Sequence, residues 1–341
     1  MKYRLPAEWS PQAWLWIGFP HLADEWQGFL AAAQAEIAAF ARAVAQSGQP
    51  ARLVCRDEEI AALAHDLAGD AVDICVHHYG DIWLRDTGPL VVADADADGG
   101  GALSAQLFGF NGWGGKYVME GDTEIGAALA DEAGLARTRA DWVLEGGAIE
   151  VDGTGLGVTT EQCLLNPNRN PHLNREQIEQ NLRRDLGIER LLWLGDGLIN
   201  DHTDGHVDNL ARFVAPGTLA LPVASRDDDP NAAIYANAKM RAEAFGLQVV
   251  PIPSPGLVER VDAEGQLKVQ PASHMNFAIT SHAVIVPTYG TASDQPAVDA
   301  IGACFPGRQT IGLRADAVLA GGGSFHCASQ QMPLPVSHDA D

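Results

Sequence analysis

Short strand-like apolar runs alternate with helix-patterned stretches along the chain, and that alternation is the strongest constraint on its fold. RLVC, VDICVH, LLWL, LALPV, LQVVPIP, AVIVPTY and RQTIGL read as strands. Between 23 and 46 the apolar side chains Trp26, Phe29, Leu30, Ala33, Ile37, Phe40, Ala41 and Val44 fall at helical spacing, predicting an amphipathic helix. Further helices are predicted near 57–67, 122–133, 175–186, 231–245 and 294–304. The third of these opens on Asn174 with Gln177 completing a capping box. Strand and helix interleave throughout, so the class is α/β rather than segregated α+β. Later helix centres recur roughly every 55 to 60 residues, a spacing that suits repeated β/α modules, though no sequence motif repeats with it.

Asp152-Gly153, lying between GGAIEV and LGVTT, predicts a hairpin, because glycine supplies the positive φ of a tight turn. ADADADGGGA at 93–102 reads as an exposed loop and the last eight residues, 334–341, as a tail. No linker long enough to separate two domains interrupts the 341 residues, so residues 1–333 are expected to form one domain.

Forty-five acidic against 22 basic residues give a formal charge of −23, which repels nucleic acid and tolerates a cationic substrate. The N-terminal stretch lacks a signal-peptide apolar core and no window reaches membrane-span length, so a cytoplasmic chain without membrane contact is expected. Five scattered cysteines, with no CxxC pair, argue against a disulfide framework and a zinc knuckle.

Four stretches carry groups suited to chemistry. DGHVDNLARFVAPG reads as a strand ending in a turn, which would put His206 and Asp208 on one face as an acid/base and cation-binding pair, or as two solvated side chains on an edge. His202 and His206 stand four apart as in HExxH, but Thr203 replaces the glutamate and Gly205 interrupts a helix, so no metal site is expected there. DIWLRDTGP offers Asp86, whose cation could be Arg85 or a bound guanidinium, and Trp83, which could stack on a planar cation or sit in the core. Glu145 precedes two glycines that would let backbone approach a ligand. Cys327, in GGGSFHCASQQMP, is either a buried small residue or a nucleophile. If that stretch is a strand, His326 faces away from Cys327.

Taken in order, PAEW, WLRDTGP, FNGWGGKY, LEGGAIEVDG, TTEQCLLNPNRNP, DGHVDNLARF, MNF, FPGR and GGGSFHCASQQMP resemble the agmatine deiminase family, which includes the Porphyromonas-type peptidyl-arginine deiminases, of the guanidino-group-modifying (pentein) superfamily. The likeness runs from Leu5 to Pro333. It implies a five-bladed α/β propeller of ββαβ modules and hydrolysis of agmatine to N-carbamoylputrescine and ammonia, without metal or organic cofactor. By similarity, Cys327 would be the nucleophile, His206 and Glu145 the acid/base pair, and Asp86 and Asp208 the guanidinium clamp. Trp83 would be a pocket wall, and Asp201 and Asp204 candidates for binding a primary amine. A homodimer or higher oligomer is also implied.

Ser324-Phe325, His274-Met275 and NDHTDGH depart from the family pattern around the far end of the substrate. The related alternatives are a deiminase of peptidyl-arginine or another alkylguanidine, a metal-dependent amidohydrolase through His202, His206 and Asp208, and a guanidine or polyamine binder without activity.

Overall fold

The computed structural model describes residues 3–26, 28–94, 101–261 and 265–335. Most of the loop expected at 93–102 and of the tail at 334–341 lies outside them. Among the described residues, five sheets of three or four strands carry the fold, and each combines an antiparallel pair with a parallel one. Ile149–Val151 pairs antiparallel with Leu156–Thr160, and helix Arg175–Leu186 then crosses to a parallel strand, Arg190–Leu194. The same ββαβ order recurs in Arg212–Ala215, Thr218–Val223, helix Ala232–Phe245 and Gln248–Pro253. It recurs again in Ala278–Ile279, Ala283–Thr288, helix Asp294–Cys304 and Gln309–Arg314. Leu90–Asp94, Leu103–Gly109, helix Ile125–Glu132 and Ala136–Val143 form another, to which Tyr3–Arg4 adds an edge.

The fifth sheet joins the two ends of the chain. Ser329–Pro333 pairs antiparallel with Gln12–Gly18, which runs parallel to Ala51–Cys55, itself parallel to Asp73–Val76. Helices Leu30–Gln46 and Glu58–Ala68 make those crossings. Cys327 therefore sits two residues before a strand that is clamped to the N-terminal part of the chain. Apolar side chains from Leu15 to Met332 fill the largest core cluster. Among the described residues no helix is long and apolar enough to cross a membrane.

Most predicted elements match closely. The capping box at Asn174 and Gln177 is formed with both bonds, and Asp57 caps the second helix by accepting from the Ile60 N–H. The helix expected from 23 begins only at Leu30. Residues 23–26 instead form turns that bury Trp26, and Gly28 takes φ +85°.

The reading of DGHVDNLARFVAPG as one strand is corrected: the strand covers only Arg212–Ala215, and Val207–Asn209 form a 3₁₀ turn with His206 at its head. Asp204 and Gly205 cause the difference. Both adopt left-handed conformations, φ 63° and 83°, which end an extended run.

Candidate active site

The short helix Leu84–Thr87 follows Trp83 and turns Asp86 inward, while Arg85 points the other way. Its guanidinium donates to Gln331 at 2.7 Å and approaches Glu8 at 3.9 Å, so Arg85 does not neutralise Asp86. Asp86 instead accepts from the Gly147 N–H and the Trp113 indole, each at 2.9 Å. Trp113 holds φ 52°, ψ 48°, a conformation costing a bulky residue about 1–2 kcal/mol, and Asn111 steadies the turn by accepting from Gly114. That strained turn aims the indole at the carboxylate.

His206, Asp208, Glu145 and Cys327 converge with Asp86. A Cβ on Gly147 would stand 2.6 Å from His206 Nδ1, 2.9 Å from Asp86 Oδ1 and 3.2 Å from Asp208 Oδ2, so a hydrogen at that position is what lets the three groups meet. Cys327 Sγ lies 3.3 Å from Asp208 Oδ2 and 2.9 Å from Asn276 Nδ2. Asn276 Oδ1 also accepts from the Cys327 and His326 backbone N–H groups, pinning the thiol-bearing turn. Glu145 accepts from Arg169 Nε at 2.6 Å through one oxygen only. Glu145 Oε2, Asp208 Oδ1 and both ring nitrogens of His206 are buried without a hydrogen-bond partner. Buried polar groups are rarely left so, and their concentration here marks a place built for a polar ligand.

Charge is arranged to match. Burial opposes a protonated His206, but Asp86, Cys163 and Glu145 outweigh it and hold the imidazole protonated well above its usual range. Burial, followed by the negative Asp208 and Asp86, pushes the Cys327 thiol well above its ordinary value. Burial also raises Asp86, reinforced by Asp208 and Glu145. It would raise Asp208 too, but the hydrogen bond and charge of His326 and the charges of His206 and Arg212 keep that carboxyl below its usual range. The site thus combines a thiol, an imidazolium and an excess of carboxylates.

His326 does not face away, because Ser324–Ala328 form a turn rather than a strand. Its ring is held between Asp208 Oδ2 and Glu8 Oε2, each at 2.8 Å. Glu8 in turn meets Arg212, which donates to Glu150 at 3.1 Å. Glu8, Arg212, Asn276, Arg169 and Trp113 carry this framework, and none was assigned a role from sequence. All lie inside the motifs PAEW, DGHVDNLARF, MNF, TTEQCLLNPNRNP and FNGWGGKY, which is the signal that could have found them.

A cavity leads from Cys327 and Asp86 past Trp83, Trp113, Trp26 and Tyr117 to His202 and Glu25 at its rim. The glycines of GGGSFHC make room for it. Cβ atoms at Gly321 and Gly323 would lie 2.6 Å from the Trp26 and Trp83 rings.

Trp83 is a wall, stacked on Trp26 with ring centroids 6.0 Å apart, and its indole donates to Asp81 at 2.8 Å. Asp201 and Asp204 are not in the lining. The first staples its own loop through Thr203 and Asn209, and the second is neutralised by Lys116 and Arg169, both at 2.6 Å. Among the described residues two groups have spacing that could hold a metal, Glu145 with Cys163 and His206, and Cys75 with His77 and Glu132. His202, His206 and Asp208 are not such a group, and the Arg169 guanidinium on Glu145 opposes a cation at the first.

The profile of the Porphyromonas-type peptidyl-arginine deiminases matches residues 4–333. The chain belongs to that family. Among its family relatives, the agmatine deiminase of Stutzerimonas stutzeri is 37% identical, over 98% of this chain and 96% of the relative. That of Pseudomonas aeruginosa (strain LESB58) is 34% identical over the same shares. The family fold is seen in the solved agmatine deiminase of Enterococcus faecalis, with a TM-score of 0.90 at 31% identity over 98% of this chain and 97% of that one. A substrate-bound C. jejuni agmatine deiminase gives 0.88 at 28%, with the same coverage.

Beneath the Trp83 wall of this deiminase-family chain, burial first raises Asp81 to about 7 and Asp122 to about 6, with Asp122 adding to the shift of Asp81. An acid raised in the folded state stabilises the fold below its unfolded value, here near 3.8, and loses that contribution as pH rises through the folded value. Stability is therefore lost between about pH 4 and 7. Asp122→Asn keeps an acceptor for the Gly80 and Asp81 N–H groups and removes one charge. Its melting temperature should fall less than that of the wild type between pH 5 and 8. At pH 8 it should be more stable by about 1–2 kcal/mol, read by thermal unfolding at both pH values.

Proposed function

We propose that this chain hydrolyses agmatine to N-carbamoylputrescine and ammonia, with Cys327 as nucleophile. The observation that carries the reading is the set of partnerless buried atoms on Asp208, Glu145 and His206 beside the thiol. A guanidinium supplies what the two carboxylates lack, planar N–H donors and a positive charge, and brings an electrophilic carbon to the thiol. Asp86 and Asp208 hold its nitrogens and set the carbon in line with Sγ, an orientation effect worth orders of magnitude. Its charge offsets the two carboxylates that keep the thiol protonated, so binding itself favours the thiolate and the thiol proton passes to solvent.

Sγ then bonds to the guanidinium carbon. His206, already protonated, gives its proton to the leaving nitrogen, the C–N bond breaks and ammonia departs, leaving an S-alkylthiouronium. Water attacks the same carbon, His206 takes a proton from it, and the C–S bond breaks to release the ureido product and the thiol. Glu145, fixed by Arg169, keeps the imidazolium favoured between turnovers.

The aromatic sleeve of Trp83, Trp113 and Tyr117 suits a slim alkyl chain and favours agmatine over peptidyl-arginine. In the same reading, residues 1–333 are one catalytic domain followed by a tail, working in the cytoplasm as a homo-oligomer. The five ββαβ sheets are the blades of a five-bladed propeller. Their repeated order, and the sheet that joins both ends of the chain, support that arrangement.

Incubation with agmatine should release ammonia and N-carbamoylputrescine in equal amounts, and acid quenching should trap a covalent adduct on Cys327, located by mass spectrometry. Rapid turnover of a different guanidine with none of agmatine would sink the substrate and leave the mechanism.

A further inference from the structure

Resting on the guanidine chemistry proposed above, we infer that Glu25 reads the far end of the substrate by binding its second cation. The cavity is lined by three carboxylates, Glu25, Asp81 and Asp86. Asp86 stands at the reacting end, beside His206 and the Trp113 indole. Asp81 is committed to its own turn, accepting from the Ile82 N–H at 2.7 Å and from Trp83 at 2.8 Å. Asp201 and Asp204, the acids that sequence suggested for this task, are committed to Thr203, Asn209, Lys116 and Arg169, as described.

Glu25 is different. It is exposed at the rim, and among the described residues no hydrogen bond or ion pair engages it. Its position is nonetheless defined. The next residue, Trp26, is 1% exposed, stacks on Trp83 and lies under Gly321, which anchors the turn that carries the carboxylate. Glu25 is near enough to Tyr117 and to Asp81 for its charge to act on both.

The cations around the same rim are occupied. Lys116 donates to the His202 carbonyl at 2.7 Å and to Asp204, and Arg260 donates to the Ala320 carbonyl while lying over the Phe29 ring. His202 stacks on Tyr117 with ring centroids 6.0 Å apart. The unspent charge at the mouth is therefore negative, and the apolar sleeve between it and Asp86 suits methylene groups. A guanidine ending in an ammonium fits both, whereas one ending in a carboxylate meets Glu25 with the wrong sign.

Steady-state kinetics of the wild type, Glu25→Gln and Glu25→Asp with agmatine and with 1-butylguanidine, which lacks the terminal amine, provide the test. Glu25→Gln should raise KM for agmatine roughly two- to fivefold with little change in kcat, consistent with an exposed charge pair. KM for 1-butylguanidine should not change, and Glu25→Asp should recover part of the agmatine loss. Rising ionic strength should weaken agmatine binding in the wild type more than in Glu25→Gln. An equal effect on both guanidines, or none on agmatine, overturns the role of Glu25. A wild type silent towards agmatine overturns the proposed function itself, and with it this reading, and is told apart because no variant is needed to see it.

Discussion

Cys327→Ser should lower agmatine turnover by about 10³-fold or more while leaving agmatine binding measurable. The proposed mechanism relies on a thiol whose proton leaves when a cation arrives beside it, and a serine hydroxyl is far too weak an acid to follow. His206 offers no rescue, since its carboxylate neighbours hold it protonated and thus unable to accept a proton in the first step. Size is nearly conserved and the turn is held by backbone bonds to Asn276, so the site should remain assembled. A thousandfold loss corresponds to about 4 kcal/mol of barrier. Ammonia release gives the rate and titration calorimetry the affinity. A serine variant within tenfold of the wild type would remove Cys327 from the role of nucleophile.

Arg212→Met should destabilise the fold by about 3–5 kcal/mol, the range for removing one member of a buried ion network. Arg212 is fully buried, donates to Glu150 and Glu8, and lies 4.7 Å over the Phe277 ring. Methionine replaces much of its packing but leaves two carboxylates facing each other. Glu8 also accepts from the Ile279 N–H at 2.7 Å and touches His326, so the disturbance reaches Asp208. Urea unfolding measures the loss, and adding Glu8→Gln should recover part of it because the two residues are coupled. A loss below 1 kcal/mol in the single variant would show that the network does not depend on its arginine.

How much of this could be read from sequence depended on the range of the interaction. The Asn174 capping box, the Asp152-Gly153 hairpin and most helices rest on contacts within a few residues, and their patterns are visible locally. The positions of Cys327, His206, Asp86, Asp208 and Glu145 came through resemblance, and the structure brings those five together. Glu8 and His326 meet across 318 positions, and Arg212 and Phe277 across 65, distances at which periodicity carries no information. His206 and Asp208 were misplaced on a strand because alternation of side chains does not reveal the left-handed pair Asp204-Gly205. Asp201 and Asp204, which the sequence offers for the substrate's amine, are engaged within the protein. A carboxylate in a loop looks free until its partners, here Lys116, Arg169, Thr203 and Asn209, are seen.

The pairing of Ser329–Pro333 with Gln12–Gly18 has a consequence for biosynthesis. Asp86, Glu145, His206 and Asp208 all leave the ribosome before Cys327 does, and the turn that presents the thiol is seated only when the last sheet takes in its C-terminal strand. A nascent chain stopped between residues 208 and 327 holds Asp86, Glu145, His206 and Asp208 but not the Cys327 thiol. That thiol is thus withheld until nearly all of the fold exists to enclose it.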